Sequence, residues 1–200
     1  MLFWEVLQCN KRFRSFIVDT DRAHDFVVLI LFHAVSNRTD PSKQGIVRMC
    51  VFVLQTLSVE DTFGSRLNKT FHGQETLPPI IRLPNFHGTY ADFLIIVGLD
   101  ILTILRLFAN DLQSIHTLIT SGKGKLDAIY PALLAIINNV APHVLELSGA
   151  ASSKLLQLFV QMSSPAYILA NETNHVLLKS LLEAMSAIID HQYECESWTT

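Results

Sequence analysis

The chain has 200 residues, of which 50% are hydrophobic and only 16% are charged, and its formal net charge is −3 at pH 7. A weakly acidic chain gains little from counterion release on phosphates, so nucleic acid is excluded as an expected partner. The charged fraction lies below the ~25% of ordinary globular domains, and we therefore expect some apolar faces to contact other protein.

The first third of the chain predicts three helices separated by short polar breaks. Apolar spacing places them over residues 2–16, 23–35 and 41–58. Thr20 or Asp21 is the expected N-cap of the second helix, because its side-chain oxygen can accept from first-turn N–H groups. Asp40 and Pro41 mark the start of the third helix, where a proline loses no hydrogen bond.

Residues 59–88 predict a long loop. Two glycines and three prolines interrupt this stretch, namely Gly64, Gly73, Pro78, Pro79 and Pro84. Connections this long without secondary structure are uncommon inside compact domains and often belong to functional or mobile segments. Two interpretations stay open: a segment with its own function, and an ordered loop that only covers a helix end.

A capping signal precedes the most apolar segment of the chain. Thr89, with Asp92 three residues later, predicts the start of a helix that continues to about Phe108. Residues 91–109 are long enough to span a bilayer, which gives an alternative interpretation as an integral or lipid-inserting segment. Asp92, Asp100 and Arg106 lie within it, and a mid-membrane carboxylate costs about 2.5–3.5 kcal/mol. Burial against other helices is therefore preferred.

The carboxyl-terminal half predicts three more amphipathic helices. Apolar residues recur there at intervals of three and four: Leu126, Ile129, Tyr130, Leu133, Ile136, Ile137 and Val140, then Leu155, Leu156, Phe159 and Met162, then Leu177, Leu178, Leu181, Leu182, Met185, Ile188 and Ile189. Helices this poor in charge bury their apolar faces against one another. The sequence therefore predicts an all-α fold, an irregular α-solenoid of stacked antiparallel helices of the armadillo or HEAT type with one long loop.

Several blocks of residues occur in an order and spacing that resemble a known family. The blocks are Asn37-Arg38 with Asp40-Pro41-Ser42, Met49-Cys50-Val51-Phe52, Phe63-Gly64 with Arg66-Leu67-Asn68-Lys69, Phe86-His87-Gly88-Thr89 with Ala91-Asp92, Asn138-Asn139-Val140 with Pro142, and Asn174-His175 with Leu181-Leu182-Glu183. From about Lys11 to about Tyr193, the chain resembles the high-temperature-induced dauer formation protein family, relatives of dymeclin. The resemblance implies an internal fragment of a much longer helical protein of the Golgi and secretory pathway, without known catalytic activity.

The resemblance does not cover residues 98–114. Family sequences pass almost directly from a block like Ala91 to Val97 into one like the segment that begins at Ile115. We interpret the intervening residues as an insertion or as an artefact of the gene model. With that reservation, residues 1–200 are expected to form one partial helical-repeat region of a larger protein.

No group of residues predicts catalysis, a cofactor site or a metal site. His72 and His87 share one loop, but no third ligand follows at metal spacing. The run that begins at Ser121, Ser-Gly-Lys-Gly-Lys, lacks the complete phosphate-loop pattern. The adjacent residues His24 and Asp25 point to different sides of a helix and cannot form a relay by themselves. We therefore expect no enzymatic activity.

The cysteines and the amino terminus indicate the compartment. Cys9, Cys50 and Cys195 are too few and too scattered for a disulfide framework, so we expect reduced and mostly buried thiols. Met1 to Arg12 is not a basic segment followed by an apolar one, so no secretory signal is expected. Together with the resemblance, this implies a cytoplasmic protein that is peripheral on Golgi or secretory membranes.

The favoured function is a non-enzymatic scaffold in trafficking, which is what the resemblance implies. Its expected partners are other proteins of the trafficking machinery, with peripheral contact to the membrane. Within the long loop, Phe63, Arg66, Leu67 and Asn68 are the predicted partner-binding residues. Arg66 has two open roles, because its guanidinium can fasten a helix carboxyl end or bind a partner's carboxylate.

Overall fold

A computed structural model describes residues 2–20, 22–113 and 128–196. Within these ranges the chain is all-α, as predicted, and its extended pairing is limited to one isolated bridge between Thr70 and Thr89. The α-helices are α1 Leu2–Cys9, α2 Lys11–Asp19, α3 Ala23–Asn37, α4 Gln44–Ser58, α5 Phe63–Arg66, α6 Tyr90–Gln113, α7 Ile129–Val140, α8 Gly149–Met162, α9 Pro165–Ile168 and α10 Asn174–Glu196. Short 3₁₀ turns occupy Pro41–Lys43, Gln74–Thr76 and Ala141–His143.

Six of these helices form three pairs that stack side by side. Within the pairs, α3 packs on α4, α6 on α7, and α8 on α10. Between the pairs, α3 contacts α6 and α6 contacts α8 in one layer, while α4 contacts α7 and α7 contacts α10 in the other. The shorter helices α1 and α2 add to one end, where α1 lies beside α4 and α2 beside α3. The buried apolar side chains of these helices thus lie between neighbouring helices, while other apolar side chains, such as Leu29 and Val160, are exposed.

The first predicted helix is wrong in one respect, because residues 2–16 form two helices and not one. Asn10 separates α1 from α2, and its side chain accepts from the Phe13 N–H at 3.0 Å. Asparagine is among the best N-cap residues, so a second helix starts here although the apolar spacing continues. Arg14 of α2 then donates from Nη1 to the Leu7 carbonyl at 3.1 Å, which ties the end of α1 to the next helix.

The starts of α3 and α4 differ slightly from the prediction. Arg22 precedes α3 without a capping side chain, Thr20 donates to the Ile17 carbonyl instead, and Asp21 lies outside the described residues. Asp40 caps as predicted, but it caps the 3₁₀ turn that leads into α4. Its carboxylate accepts from the Ser42 hydroxyl and N–H at 2.7 and 2.9 Å, and these bonds lower the pKa of Asp40.

The central helix α6 is mostly buried over the length for which its side chains are described. Its buried apolar side chains are Ala91, Phe93, Leu94, Ile95, Ile96, Val97, Leu99, Ile101, Leu102 and Leu105. Over residues 2–113 and 128–196, none of the helices is both long and apolar enough to span a membrane. Residues 98–113 continue α6, and Ser114 lies outside the described residues. Their interpretation as an insertion stays a prediction, which the transcript sequence across residues 98–114 tests.

The predicted cap of α6 is confirmed and also joins two helices. Thr89 Oγ1 accepts from the Asp92 N–H at 3.2 Å, while Asp92 Oδ2 accepts from the Thr89 N–H at 2.9 Å. The other carboxylate oxygen, Oδ1, accepts from the Ser148 N–H at 2.8 Å, directly before α8. Asp92 is only 1% exposed. A single buried carboxylate therefore fixes the start of α6 against the start of α8.

Two adjacent asparagines connect α7 to both of its neighbours in the same layer. Asn138 donates from Nδ2 to the hydroxyl and carbonyl oxygens of Ser180 in α10, at 2.7 and 3.0 Å. Asn139 donates from Nδ2 to the Ser58 hydroxyl at the end of α4, at 2.9 Å. Successive residues point to different sides of a helix. The side-chain amides of Asn138 and Asn139 can therefore bind two different helices, α10 and α4.

Candidate functional site

The long loop over residues 59–88 begins with a docked helical turn. α5 contacts α2, α4, α7 and the 3₁₀ turn Ala141–His143. Phe63 and Leu67, at either end of this turn, are fully buried in the core. Two of the four residues predicted to bind a partner therefore anchor the loop and are not available at the surface.

Gly64 lies directly against His143. A Cβ atom built on Gly64 would approach the His143 Cδ2, Cβ and Cγ atoms to 2.6–2.8 Å. Carbon atoms do not approach one another so closely without displacement, so no other residue fits here while His143 keeps its place. Close packing of the loop on the turn after α7 thus depends on a residue without a side chain.

Asn68 fastens the loop to the same turn through two hydrogen bonds. Its Nδ2 donates to the His143 carbonyl at 2.7 Å, and its Oδ1 accepts from the Leu145 N–H at 3.2 Å. Arg66 differs, because its side chain is exposed while its carbonyl lies 2.7 Å from His24 Nε2. A carbonyl oxygen only accepts, so Nε2 of His24 carries the proton. Of the four predicted residues, Arg66 is the one with a freely accessible side chain.

Residues 71–88 form a loop that is closed at its base, which we call the closed loop. Phe71 donates its N–H to the Gly88 carbonyl at 2.8 Å, and Tyr90 donates to the Lys69 carbonyl at 3.1 Å. Phe71 stacks on Phe93 of α6 with ring centroids 4.5 Å apart. Backbone pairing and aromatic packing therefore hold the two ends of the closed loop against the stack.

An open cleft of about 360 Å³ lies between α3, the base of the closed loop and the start of α6. Its lining residues are His24, Asp25, Lys69, Thr70, His72 and Tyr90. Burial raises the pKa of the Tyr90 phenol, the Asp25 carboxylate raises it further, and Lys69 opposes both. The phenol therefore stays protonated at neutral pH and can donate a hydrogen bond. Since both signs of charge line the cleft, it suits a polar group better than a purely anionic or cationic one.

A second groove of about 400 Å³ lies between residues 83–87 and the start of α8. Its apolar lining comes mainly from Leu83, Pro84, Phe86, Ile96 and Ala150. Lys154 also lines it, but its ammonium is paired with Asp100 at 2.6 Å. The groove therefore presents a mainly apolar surface whose one lysine is already neutralised.

The other sequence motifs do not converge on a reactive site. His24 and Asp25 both line the open cleft, but His24 is buried and its Nε2 lies 2.7 Å from the Arg66 carbonyl, whereas Asp25 is exposed. Among residues 2–20, 22–113 and 128–196, no group of three or more His, Cys, Asp or Glu side chains is placed to hold a metal ion. The glycine-lysine run at 121–125 lies outside the described residues.

The thiols differ from the expectation of mostly buried cysteines. Cys9 is exposed at the end of α1, Cys50 is partly buried in α4, and the side chain of Cys195 is not among those described. Burial raises the pKa of the Cys50 thiol to about 11. The thiolate is the reactive form of cysteine. Cys50 is therefore less reactive for two reasons: neighbouring residues partly cover it, and its thiol stays protonated at neutral pH.

We expect iodoacetamide at pH 8 to alkylate Cys50 at least ~10-fold more slowly than Cys9 in the folded protein. Peptide mass spectrometry on a Cys195→Ser variant would measure both rates. In urea the two rates should become similar, because the shift in pKa belongs to the folded state. Equal rates in the folded protein would contradict the burial of Cys50.

Sequence reasoning missed two residues that position the loop and the helix starts. The His143 side chain packs against Gly64, and its carbonyl accepts a hydrogen bond from Asn68. The Ser148 N–H donates to the buried carboxylate of Asp92. Ser148 also caps α8, since its hydroxyl accepts from the Ala151 N–H at 3.2 Å. A serine before an apolar helix is a capping signal that could have been found, whereas nothing local to His143 indicates its contacts.

Comparison with known proteins gives one family. The model of the high-temperature-induced dauer-formation protein family matches residues 1–198. Protein HID1 of Homo sapiens is 34% identical over 197 residues, which cover 98% of this chain and 22% of the human protein. The Ubp5-interacting protein ftp105 of Schizosaccharomyces pombe is 31% identical over 193 residues, which cover 96% of this chain and 19% of that protein.

The similarity extends to other eukaryotes. Protein HID1 of Dictyostelium discoideum is 29% identical over 191 residues, 96% of this chain and 19% of that protein. This chain thus spans about a fifth of the length of the relatives it matches. No solved structure matches it. Because both the family model and these relatives cover nearly all of its residues, the chain belongs to the high-temperature-induced dauer-formation protein family.

Proposed function

We propose that this chain is part of a non-enzymatic scaffold of the Golgi and secretory pathway that acts through protein–protein contacts. We also propose that its helix pairs belong to an irregular α-solenoid of the armadillo or HEAT type. The main support is the packing, in which three successive pairs stack side by side in two layers. Stacked pairs of this kind form extended binding surfaces.

The outer surface of the stack supports a role in binding. Leu156 and Val160 lie one turn apart on α8, and both are exposed. Leu169, directly after α9, is exposed as well. Adjacent exposed apolar side chains are typical of surfaces that contact other proteins.

The name of the fission-yeast relative states that it interacts with Ubp5. Since that relative matches nearly the whole of this chain, we propose that this chain also binds partner proteins. We further propose that these include proteins of the trafficking machinery, and that the protein is cytoplasmic and touches Golgi or secretory membranes only peripherally.

Within this function, the block Phe63, Arg66, Leu67 and Asn68 supplies part of the partner surface. Phe63 and Leu67 contribute indirectly, because their burial fixes the loop on the core. Asn68 holds the loop to the turn after α7. Arg66 then presents an exposed guanidinium from a fixed backbone, which suits bidentate binding of a partner's carboxylate.

Replacement of the matching segment in the fission-yeast relative tests the proposal. Three versions of ftp105 would be compared in fission yeast: the natural protein, a version without the matched 193 residues, and a chimera that carries the present chain in their place. We expect the chimera to recover Ubp5 by immunoprecipitation and the shortened version to lose it. Arg66→Ala in the chimera should lower recovery several-fold, because it removes a charged contact from the loop.

Arg12→Ala, which alters an exposed arginine on α2, provides the matched control and should leave recovery unchanged. A stable chimera that recovers no more Ubp5 than the shortened version would contradict the proposed function. Full recovery by the shortened version would contradict it too, since the segment would then be dispensable for binding.

A further inference from the structure

We propose that Ser164 is a phosphorylation site for a proline-directed protein kinase, and that the added phosphate prevents partner binding at the apolar surface beside it. The apolar surface consists of the exposed side chains of Leu156, Val160 and Leu169. This inference rests on the proposed scaffold function and adds a covalent control of one of its binding surfaces.

Ser164 directly precedes Pro165 in the connection between α8 and α9. Of the 7 prolines in the chain, only Pro165 follows a serine or threonine. Proline-directed kinases phosphorylate a serine or threonine when proline is the next residue, because proline has no backbone N–H that their active site would leave without an acceptor. The chain therefore offers such a kinase one acceptor position.

The backbone of Ser164 already has the conformation that a kinase binds. Its φ of −65° and ψ of 139° are extended values, which the following proline ring favours. Protein kinases bind the residues around the acceptor hydroxyl as an extended segment. Ser164 is partly exposed, and Pro165 and Ala166 are exposed after it, so the segment lies at the surface of the stack.

The hydroxyl of Ser164 makes two local hydrogen bonds that phosphorylation must replace. It donates to the Gln161 carbonyl at 2.9 Å and accepts from the Tyr167 N–H at 3.3 Å. In the reaction, Oγ attacks the γ-phosphorus of ATP, the bond to the β,γ-bridging oxygen breaks, and ADP leaves. The hydroxyl proton passes to the catalytic carboxylate of the kinase. Afterwards a phosphate oxygen can still accept from the Tyr167 N–H.

Ser164 lies in the middle of the apolar surface. Leu156, Val160 and Ser164 follow one another at intervals of four residues, so they share one face of α8 and its end. Leu156 and Val160 are 54% and 67% exposed, and Leu169, at the end of α9, is 84% exposed. A group added to Ser164 is therefore placed between the apolar side chains.

The phosphate would be the only charge on this part of the chain. Residues 155–171 contain no acidic or basic side chain, whereas a phosphoserine carries a charge of about −1.5 to −2 at neutral pH. No lysine or arginine of that stretch can pair with it. A partner that covers the apolar surface would have to remove water from an unpaired phosphate, which disfavours binding.

Treatment of the purified ftp105 chimera with a cyclin-dependent kinase and Mg·ATP tests the site. Peptide mass spectrometry should locate phosphate on Ser164. Pro165→Ala keeps the acceptor hydroxyl but should lower the rate at Ser164 at least ~10-fold, because the alanine N–H is left without an acceptor in the kinase. Treated parent chimera should then recover several-fold less Ubp5 than untreated chimera.

Two substitutions at the same position isolate the charge. Asparagine and aspartate cap a helix as well as serine does, so Ser164→Asn and Ser164→Asp should both unfold at the temperature of the parent chimera. We expect Ser164→Asp to recover several-fold less Ubp5 than Ser164→Asn. Kinase treatment should leave recovery by Ser164→Asn unchanged, because the acceptor hydroxyl is missing.

Each contrary result identifies what fails. A parent chimera that stays unmodified at Ser164 would overturn the phosphorylation site, while the scaffold function stands. Equal recovery by treated and untreated parent chimera, with Ser164 phosphorylated, would overturn the control of binding and again leave the scaffold function. A parent chimera that recovers no Ubp5 before treatment would overturn both.

Discussion

Gly64→Ala is expected to lower the free energy of unfolding by about 1–3 kcal/mol, the usual cost of an overpacked core. The new methyl group would lie 2.6–2.8 Å from three carbon atoms of His143. His143 is confined by its place in a 3₁₀ turn directly after Pro142. The clash therefore pushes α5 away from the stack, and urea unfolding at constant m-value would measure the loss.

Gly45→Ala is the matched control for this substitution. Gly45 lies in the first turn of α4, and nothing lies within 4 Å of a Cβ atom built there. Alanine has the higher helix propensity, so this variant should be more stable by about 0.5–1 kcal/mol. Equal stability changes for the two variants would show that Gly64 is not closely packed against His143.

Asp92→Ala is expected to destabilise the protein by about 3 kcal/mol, since it leaves buried donors without partners. The Asp92 carboxylate accepts from the N–H groups of Ser148 and Thr89 at 2.8 and 2.9 Å, and from the Thr89 hydroxyl at 3.0 Å. Its removal uncouples the start of α6 from the start of α8. Hydrogen exchange should therefore increase at both helix starts.

Asp100→Ala provides the comparison for Asp92→Ala. Asp100 pairs with Lys154 at 2.6 Å, but the two side chains are 36% and 41% exposed. Solvent screens such pairs, so the variant should lose less than about 1 kcal/mol. If both aspartate variants lost the same free energy of unfolding, the buried hydrogen bonds of Asp92 would stabilise the protein no more than the exposed ion pair of Asp100.

The fold class follows from the spacing of apolar residues, but the exact faces do not. Leu155 and Leu181 are buried as predicted, while Leu156, Leu182 and Ile189 from the same apolar series are exposed. A three-four series with adjacent members covers a wide arc of the helix. Which part of that arc is covered depends on the neighbouring helices, and the sequence does not state their positions.

The candidate site was less predictable because its contacts are distant in the chain. The glycines and prolines of residues 59–88 predict an unusually long loop. Phe63 and Leu67 anchor this loop in the core, but the sequence around them does not indicate that they are buried. The bond from Asn68 to His143 spans 75 residues, and the bond from Ser148 to Asp92 spans 56. Such contacts are set by tertiary packing and not by local propensity.

The paired amides of Asn138 and Asn139 make α7 sensitive to its own length. Each residue added upstream would rotate the helix by about 100° and turn both amides away from Ser58 and Ser180 at once. Slippage by one position is therefore penalised on two sides simultaneously. The register of α7 therefore fixes the position of the second helix pair relative to the first and the third. We expect added residues to be tolerated in the connections between helices but not inside α7.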